Sequence, residues 1–463
     1  MTFDYDLVII GDSPAAVTAA ITAAQLKARI ALVQTSAHPP NPPFNKIFIP
    51  LAPPFERGVG GDFWGGETSA QNPQILTNYL ATTVGEEYSP PVLASMGIDV
   101  IYGSGEFRPK PQLAFEVGNR LVRSRRYLLT PHHIPAIPPI EGLTNTTYYT
   151  HHSIHTISYQ KQPKSLIIIG SDPLGIQWAQ ILAGIGTRVT LITASPHILP
   201  QEDPEVAQLL QAQLQADGIR LLTNTKVTQV KQIENNKWVQ AGNQAIDADE
   251  IFLATGYQPD IQNLNLERVG VEIAPNISIN AKLQTVNPRI YVCGELLGKS
   301  PQLHIANYEA KIAVKNALFW PLFKCDYRPI PSVIFTNPQL ARIGLTETEA
   351  RGRYGDDILV LQQYFKSLIL AQLRDETTGF CKIITRRGGD ILGVHIIGPD
   401  ARELINTLAL AMGRGLKVQH IASLTPIIPS LSEIIPKTAE IWHKHRRRRW
   451  HNFLEAFFNW RRG

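Results

Sequence analysis

The sequence predicts an α/β chain: two Rossmann-like dinucleotide-binding domains, then a C-terminal α+β module. Three observations carry this. The stretch Asp6-Leu-Val-Ile-Ile-Gly11-Asp-Ser13-Pro14-Ala15-Ala16 reads as a buried strand, a tight turn of small residues and an alanine-rich helix, the opening of a dinucleotide-binding βαβ unit. The pattern returns at Leu166-Ile-Ile-Ile-Gly170-Ser-Asp172-Pro-Leu-Gly175. The second strands of the two units end at the same distance past their glycines, at Gln34 and Thr193. From Arg328 onward, Ile358-Leu-Val-Leu, Phe380-Cys-Lys-Ile-Ile and Ile391-Leu-Gly-Val-His-Ile-Ile have the turn spacing of antiparallel strands.

Each turn uses small residues so that the backbone can approach a pyrophosphate, which the N–H groups and positive dipole end of the following helix then bind. In the first unit Gly11, Ser13, Pro14, Ala15 and Ala16 make the turn and Gln34 reaches a ribose hydroxyl without charge assistance. Residues 39–54 are too proline-rich for a regular helix. The glycine loop of residues 57–66 is either an ordered surface loop or a lid over a cofactor ring. The second unit puts Gly170, Gly175 and Thr193 at the matching positions. Asp172, however, stands where the middle glycine belongs, so its carboxylate lies near any dianionic pyrophosphate. The second turn is therefore expected to be the weaker of the two. Thr193 and Ser195 lean toward NADPH, although no arginine is evident nearby. Strands that end on glycine turns follow at Gly256 and at Gly294-Glu295, and a helix opens at Leu303-His304-Ile-Ala306.

Composition limits the function. The chain has 463 residues, 44% hydrophobic and 18% charged, as a soluble globular protein does. No run of about 20 apolar residues suggests a membrane span. A strand pattern from Tyr5 leaves no signal peptide to be expected. Cys293, Cys325 and Cys381 lie far apart, which fits a reducing, cytoplasmic setting without a disulfide scaffold. No metal site is expected. Eight Lys and Arg and two Glu fall in the last 27 residues, so the basic character belongs to the tail and the body is near neutral.

The order of these motifs resembles the pyridine nucleotide–disulfide oxidoreductases, a family that includes lipoamide dehydrogenase, glutathione reductase and mercuric reductase. Further likeness lies in Leu253-Ala-Thr-Gly256, Gly294-Glu295, Leu303-His304-x-Ala306, Gly344-Leu-Thr-Glu347, Gly393-x-His395-x-x-Gly398 and Pro429-Ser-Leu-Ser-Glu433. The resemblance implies an FAD domain over residues 1–150, an NAD(P)H-binding-like domain over 151–265, a central segment over 266–327 that completes the FAD domain, and a dimerisation domain over 328–436 that makes a homodimer. It assigns FAD to Gly11, Ser13, Pro14, Ala15, Ala16, Gln34, Gly294, Glu295, His304 and Ala306, and NAD(P)H to Gly170, Gly175, Thr193 and Gly256. The family's redox CxxxxC is missing: its place is the cysteine-free stretch of residues 39–54. The family's C-terminal His is Ile428. Gln177 and Glu295 replace its usual Glu and Asp. No catalytic residue is assigned.

Residues 437–463 lie beyond the resemblance. Arg446, Arg447, Arg448 and Arg449 precede Trp450, Phe453, Leu454, Phe457 and Phe458, whose spacing puts them on one helical face. A basic run beside an aromatic face fits a helix lying on an anionic membrane surface. Packing of that face on the body, or an acidic partner, is the alternative; nucleic acid is not expected, because the body lacks a basic groove. The leading expectation is an FAD-dependent oxidoreductase that passes electrons from NAD(P)H to a quinone-like or other non-disulfide small molecule, peripheral on the cytoplasmic face of a membrane. Phe44, Phe48, Phe63 and Trp64 are the expected acceptor wall. The alternative is a non-catalytic assembly or interaction protein that keeps the fold.

Overall fold

A computed structural model describes residues 3–35, 89–130, 133–157, 162–273, 277–294 and 302–462, the side chains of 446–454 and 456 excepted. In chain order the elements are β1 (Tyr5–Ile10), α1 (Pro14–Gln25), β2 (Ile30–Gln34), β3 (Ile98–Tyr102), β4 (Ser124–Leu129), β5 (Ser165–Ile169), α2 (Pro173–Gly184), β6 (Arg188–Ile192), α3 (Pro204–Ala216), β7 (Arg220–Leu222) and β8 (Glu250–Leu253). Then come β9 (Ile290–Val292), α4 (Leu303–Leu318), β10 (Ser332–Ile334), β11 (Gln339–Gly344), α5 (Glu347–Tyr354), β12 (Ile358–Tyr364), β13 (Phe380–Arg386), β14 (Ile391–Gly398), α6 (Ala401–Gly413) and α7 (Ile434–Arg462), with shorter pieces between. The chain divides into two units, residues 1–137 with 255–325 and residues 138–254 with 326–463.

The first unit is built on a parallel sheet in the order β9-β4-β1-β2-β3. Central β1 is a continuous apolar run because both its faces are covered: Leu7, Val8 and Ile9 are fully buried. On one face lie α1 and α4. Their facing alanines, Ala15, Ala16, Ala19, Ala20 and Ala23 against Ala306, Ala310 and Ala313, belong to one core cluster, and small side chains let the helices approach closely. Thr18 donates to Asn307 across them at 2.8 Å. The other face is covered by aromatic packing, with the Phe107 ring 5.0 Å from Phe115 and 5.3 Å from Tyr127, both edge-on.

The second unit combines a parallel sheet, β7-β6-β5-β8, with a C-terminal antiparallel sheet, β10-β11-β14-β13-β12. The antiparallel sheet is covered by α6 and by the first turns of α7, which bury Ile435, Ala439 and Trp442. The expected boundary at 437 thus falls inside one helix. The helix that carries the tail starts at Ile434, and its first part is core, because Trp442 supplies a large side chain that the sheet would otherwise leave uncovered. Near the other end of the same helix Phe457, Phe458 and Trp460 are exposed.

A polar cluster joins the antiparallel sheet to the start of α3. Lys382 on β13 is fully buried, with its ammonium 3.0 Å from Asp203 and 2.7 Å from Glu347, and also paired with Glu205. On β14, His395 is buried with Nε2 3.5 Å from Asp203 and Nδ1 3.8 Å from Glu202. Arg342 reaches Glu202 at 3.3 Å. Burial pushes the Glu202 carboxyl up to about 7, against the pull of Arg342. Burial likewise pushes His395 down to about 4, against the pull of Asp203.

Candidate dinucleotide-binding sites

The first turn sits at the carboxyl end of β1. Gly11 adopts φ +141°, and a Cβ there would lie 2.1 Å from the Thr130 carbonyl oxygen, so only glycine passes. Its N–H donates to the Val33 carbonyl at 3.0 Å. Ser13 is the N-cap of α1 with Pro14 in the first turn, yet no side chain caps the helix and its first turn holds no acid. The nearby Asp12 carboxylate accepts from the Thr35 N–H at 2.9 Å instead. The Ser13 hydroxyl and the Gln34 amide nitrogen are buried and have no partner among the described residues. Two orphaned polar groups beside an uncapped helix start are what a dinucleotide would satisfy.

Gly294 faces this turn: its Cβ position is 3.3 Å from the Ala15 Cβ. Its N–H donates to the buried Glu309 carboxylate at 2.7 Å. Ala306 is buried in α4, and His304 is exposed in the first turn of that helix. The structure thus gathers Gly11, Ser13, Pro14, Ala15, Ala16, Gln34, Gly294 and Ala306 in the first unit. Glu309 was missed from sequence; its signal is its place one helical turn after Ala306, among the buried alanines.

The second turn has the same backbone and a different fate. Gly170 adopts φ +105°, and Asp172 is the N-cap of α2. Asp172 Oδ1 accepts from the Gly175 N–H at 2.6 Å. Its Oδ2 lies 2.7 Å from Nε2 of His151, a buried ring set edge-on to Phe252. The carboxylate thus takes the hydrogen bond that a pyrophosphate would accept at this helix N-terminus, so a dinucleotide bound here must displace it. Gly175 packs tightly on β8, its Cβ position 2.3 Å from the Ala254 Cβ. The Thr193 hydroxyl is 3.1 Å from that of Ser171. Gln177 donates to the Pro173 carbonyl at 3.0 Å. Gly256 lies in the first unit, where its carbonyl accepts from Ala136 at 3.0 Å. His151 had no signal in sequence.

Of the three cysteines Cys325 is half-buried, and at the position of the family's C-terminal His the chain has Ile428. Cys293 and Cys381 are fully buried, and burial holds their thiols above the ordinary value, at about 12 for Cys381. Ile428, 69% exposed, has no titratable atom. The retained Glu433 accepts from the Ser430 N–H at 3.0 Å and pairs with Lys437 at 2.8 Å, so it serves the start of the last helix. Phe44, Phe48, Phe63, Trp64 and Glu295 lie outside the described residues, as do the side chains of Arg446, Arg447, Arg448, Arg449, Trp450, Phe453 and Leu454. No group of three or more metal-ligating residues occurs among the described residues.

Residues 5–310 match the pyridine nucleotide-disulphide oxidoreductase family and residues 330–439 match its dimerisation domain. The chain belongs to this family. It is 30% identical to a mercuric reductase of Staphylococcus aureus over 438 residues, covering 90% of this chain and 79% of that protein. It is 29% identical to a dihydrolipoyl dehydrogenase of Bacillus subtilis over 479 residues, covering 95% and 98%. The HOCl-induced flavoprotein disulfide reductase of Escherichia coli shares the fold at a TM-score of 0.77 and 24% identity, covering 94% of this chain and 99% of that one. Members of the family bind FAD and use NAD(P)H, and the dimerisation domain supports a homodimer.

Proposed function

We propose that the protein is an FAD-dependent oxidoreductase that passes electrons from NAD(P)H to an acceptor other than a disulfide, of quinone-like chemistry. The observation that carries this is the pairing of a first turn whose Ser13 and Gln34 have polar atoms without a partner among the described residues with a chain whose cysteines all lie at 293 or beyond. When bound, FAD supplies the hydride and electron transfer. The chain's own part is to hold the pyrophosphate at the start of α1, through Ser13 and the turn of Gly11, and to anchor a ribose through Gln34. Ile428 provides no proton at the position where the family has a base. Proton delivery to an acceptor would then fall to solvent or to the acceptor's own groups. Phe44, Phe48, Phe63 and Trp64 are the acceptor wall in this reading.

The proposal includes a cytoplasmic membrane surface as the protein's location. Its support is the tail: four consecutive arginines, and Phe457, Phe458 and Trp460 exposed on the last turns of α7. No helix among the described residues is long and apolar enough to cross a membrane.

The test is anaerobic titration of FAD-loaded protein with NADH and with NADPH, followed by a soluble quinone. Flavin bleaching and quinone-driven recovery are expected. An unchanged spectrum with both nucleotides would instead favour the second reading, a non-catalytic assembly or interaction protein. The observation that favours that reading is the Asp172 carboxylate on the Gly175 N–H.

A further inference from the structure

At the amino ends of β1, β4 and β9, the opposite end of the strands from the first dinucleotide turn, the first unit has a cavity of about 670 Å³. Lys27, Arg125, Arg126 and Arg289 line it, with Asp6 as the one carboxylate among the lining residues. Asp6 is already engaged, accepting from the Arg29 N–H at 3.0 Å. The guanidinium carbons of Arg125 and Arg289 stand 6.0 and 5.6 Å from the Phe3 ring centre. Burial, with the charge of Arg126, lowers the Arg289 pKa below its ordinary value, as crowded cations require. The cavity is therefore a concentration of positive charge on a chain whose body is nearly neutral.

Its rim is apolar. Phe319, which lines the cavity, begins the run Phe319-Trp320-Pro321-Leu322-Phe323, where α4 ends. Trp320 is 77% exposed and Leu322 72%, with Phe319 and Phe323 also exposed. Single exposed apolar residues are ordinary, but four large ones in five positions, one of them tryptophan, mark a contact surface. The loop is held, not loose. Asn316, fully buried, accepts from the Phe323 N–H at 3.0 Å and donates to the Phe323 carbonyl at 2.7 Å and to the Lys282 carbonyl at 3.0 Å. The Lys315 ammonium lies 5.6 Å from the Phe323 ring, and Lys324 follows, exposed.

We propose that the Phe319–Phe323 loop and the Lys27/Arg125/Arg126/Arg289 cavity form a docking surface for an anionic lipid bilayer. The aromatic and leucine side chains enter the headgroup boundary, and the cations face the headgroup phosphates and carboxylates. Charge complementarity names the partner: a hydrophobic protein groove would not be matched by four basic groups, and a free small anion would leave Trp320 and Leu322 in water. The inference shares its partner with the membrane reading of the tail and rests on separate residues.

The experiment is co-sedimentation of full-length FAD-loaded protein with phosphatidylcholine vesicles, with and without about 30% phosphatidylserine, at low and high salt. Wild type is expected to bind only the anionic vesicles and to release in salt. Trp320→Ser with Leu322→Ser changes exposed positions only and is expected to weaken binding about tenfold, with flavin spectrum and dimer mass unchanged. Lys27→Glu with Arg125→Glu is expected to do the same. Unaltered binding by both variants would overturn the proposal. So would a shift of the Trp320/Leu322 variant to monomer in sedimentation velocity, which would assign the face to a second copy of the chain. Replacing Arg446, Arg447, Arg448 and Arg449 by Gln separates the two membrane readings: loss here with no loss in the loop variant leaves only the tail, and the reverse leaves only this surface.

Discussion

At the first turn the helix starts on Ser13, at φ −75° and ψ 156°; at the second it starts on Asp172, at φ −66° and ψ 159°. A proline follows each, and each preceding glycine has a positive φ. The backbones are equivalent, yet Ser13 and Gln34 keep polar atoms without a partner among the described residues, while Asp172 bonds to Gly175 and Thr193 lies against Ser171. At one turn these atoms are open among the described residues, and at the other they are used internally. Binding there must displace an internal carboxylate, which costs the cap as well as the approach of two like charges.

The largest expected effect tests what the two turns share. Gly11→Val places a side chain against the Thr130 carbonyl and forces a branched residue to positive φ. It should destabilise the first unit by on the order of 4 kcal/mol and abolish FAD retention, as read by thermal unfolding and flavin absorbance. Next in size is a change that reaches the second turn only through the domain that carries it. With its carboxyl pushed up to about 7 from 4.5, Glu202 takes up a proton on folding, so its contribution is full below about pH 4.5 and is lost as pH rises through 7. His395, pushed down to about 4 from 6.5, works in the other direction, its contribution being lost as pH falls. Glu202→Gln should therefore gain on wild type as pH rises from 4.5 to 7, by up to on the order of 3 kcal/mol. Paired melting curves across that range would show it, and a constant offset would refute it.

The comparison itself is tested by exchange. Asp172→Ser should tighten NADH or NADPH binding about tenfold by freeing the Gly175 N–H, and Ser13→Asp should weaken FAD retention by about the same factor. Equilibrium titration of each variant measures both, and no change in either would break the contrast. The smallest effect belongs to Gln34→Ala. It removes one neutral hydrogen bond to a ribose and should weaken FAD by roughly threefold to tenfold.

Much of this was legible in the chain. The paired turns and the late antiparallel strands were readable from glycine spacing and strand periodicity. Glu309 and His151 were not, because each meets its partner, Gly294 or Asp172, from an element distant in sequence. The start of the helix that carries the tail was not legible for a related reason. Basic and aromatic composition marks where a helix becomes exposed, but the start of α7 and the burial of Trp442 depend on the sheet beneath it.

The amino-acid order by itself determined the family, the two units of equal period and the absence of a cysteine pair before residue 293, since these are matters of local pattern and of which atoms are present. The tertiary structure alone decided that His151 meets Asp172, that Lys382 and His395 lie in one buried acidic cluster, and that four cations from three separate segments line one cavity with Phe319. Those are meetings of residues far apart in the chain, and no local period encodes them.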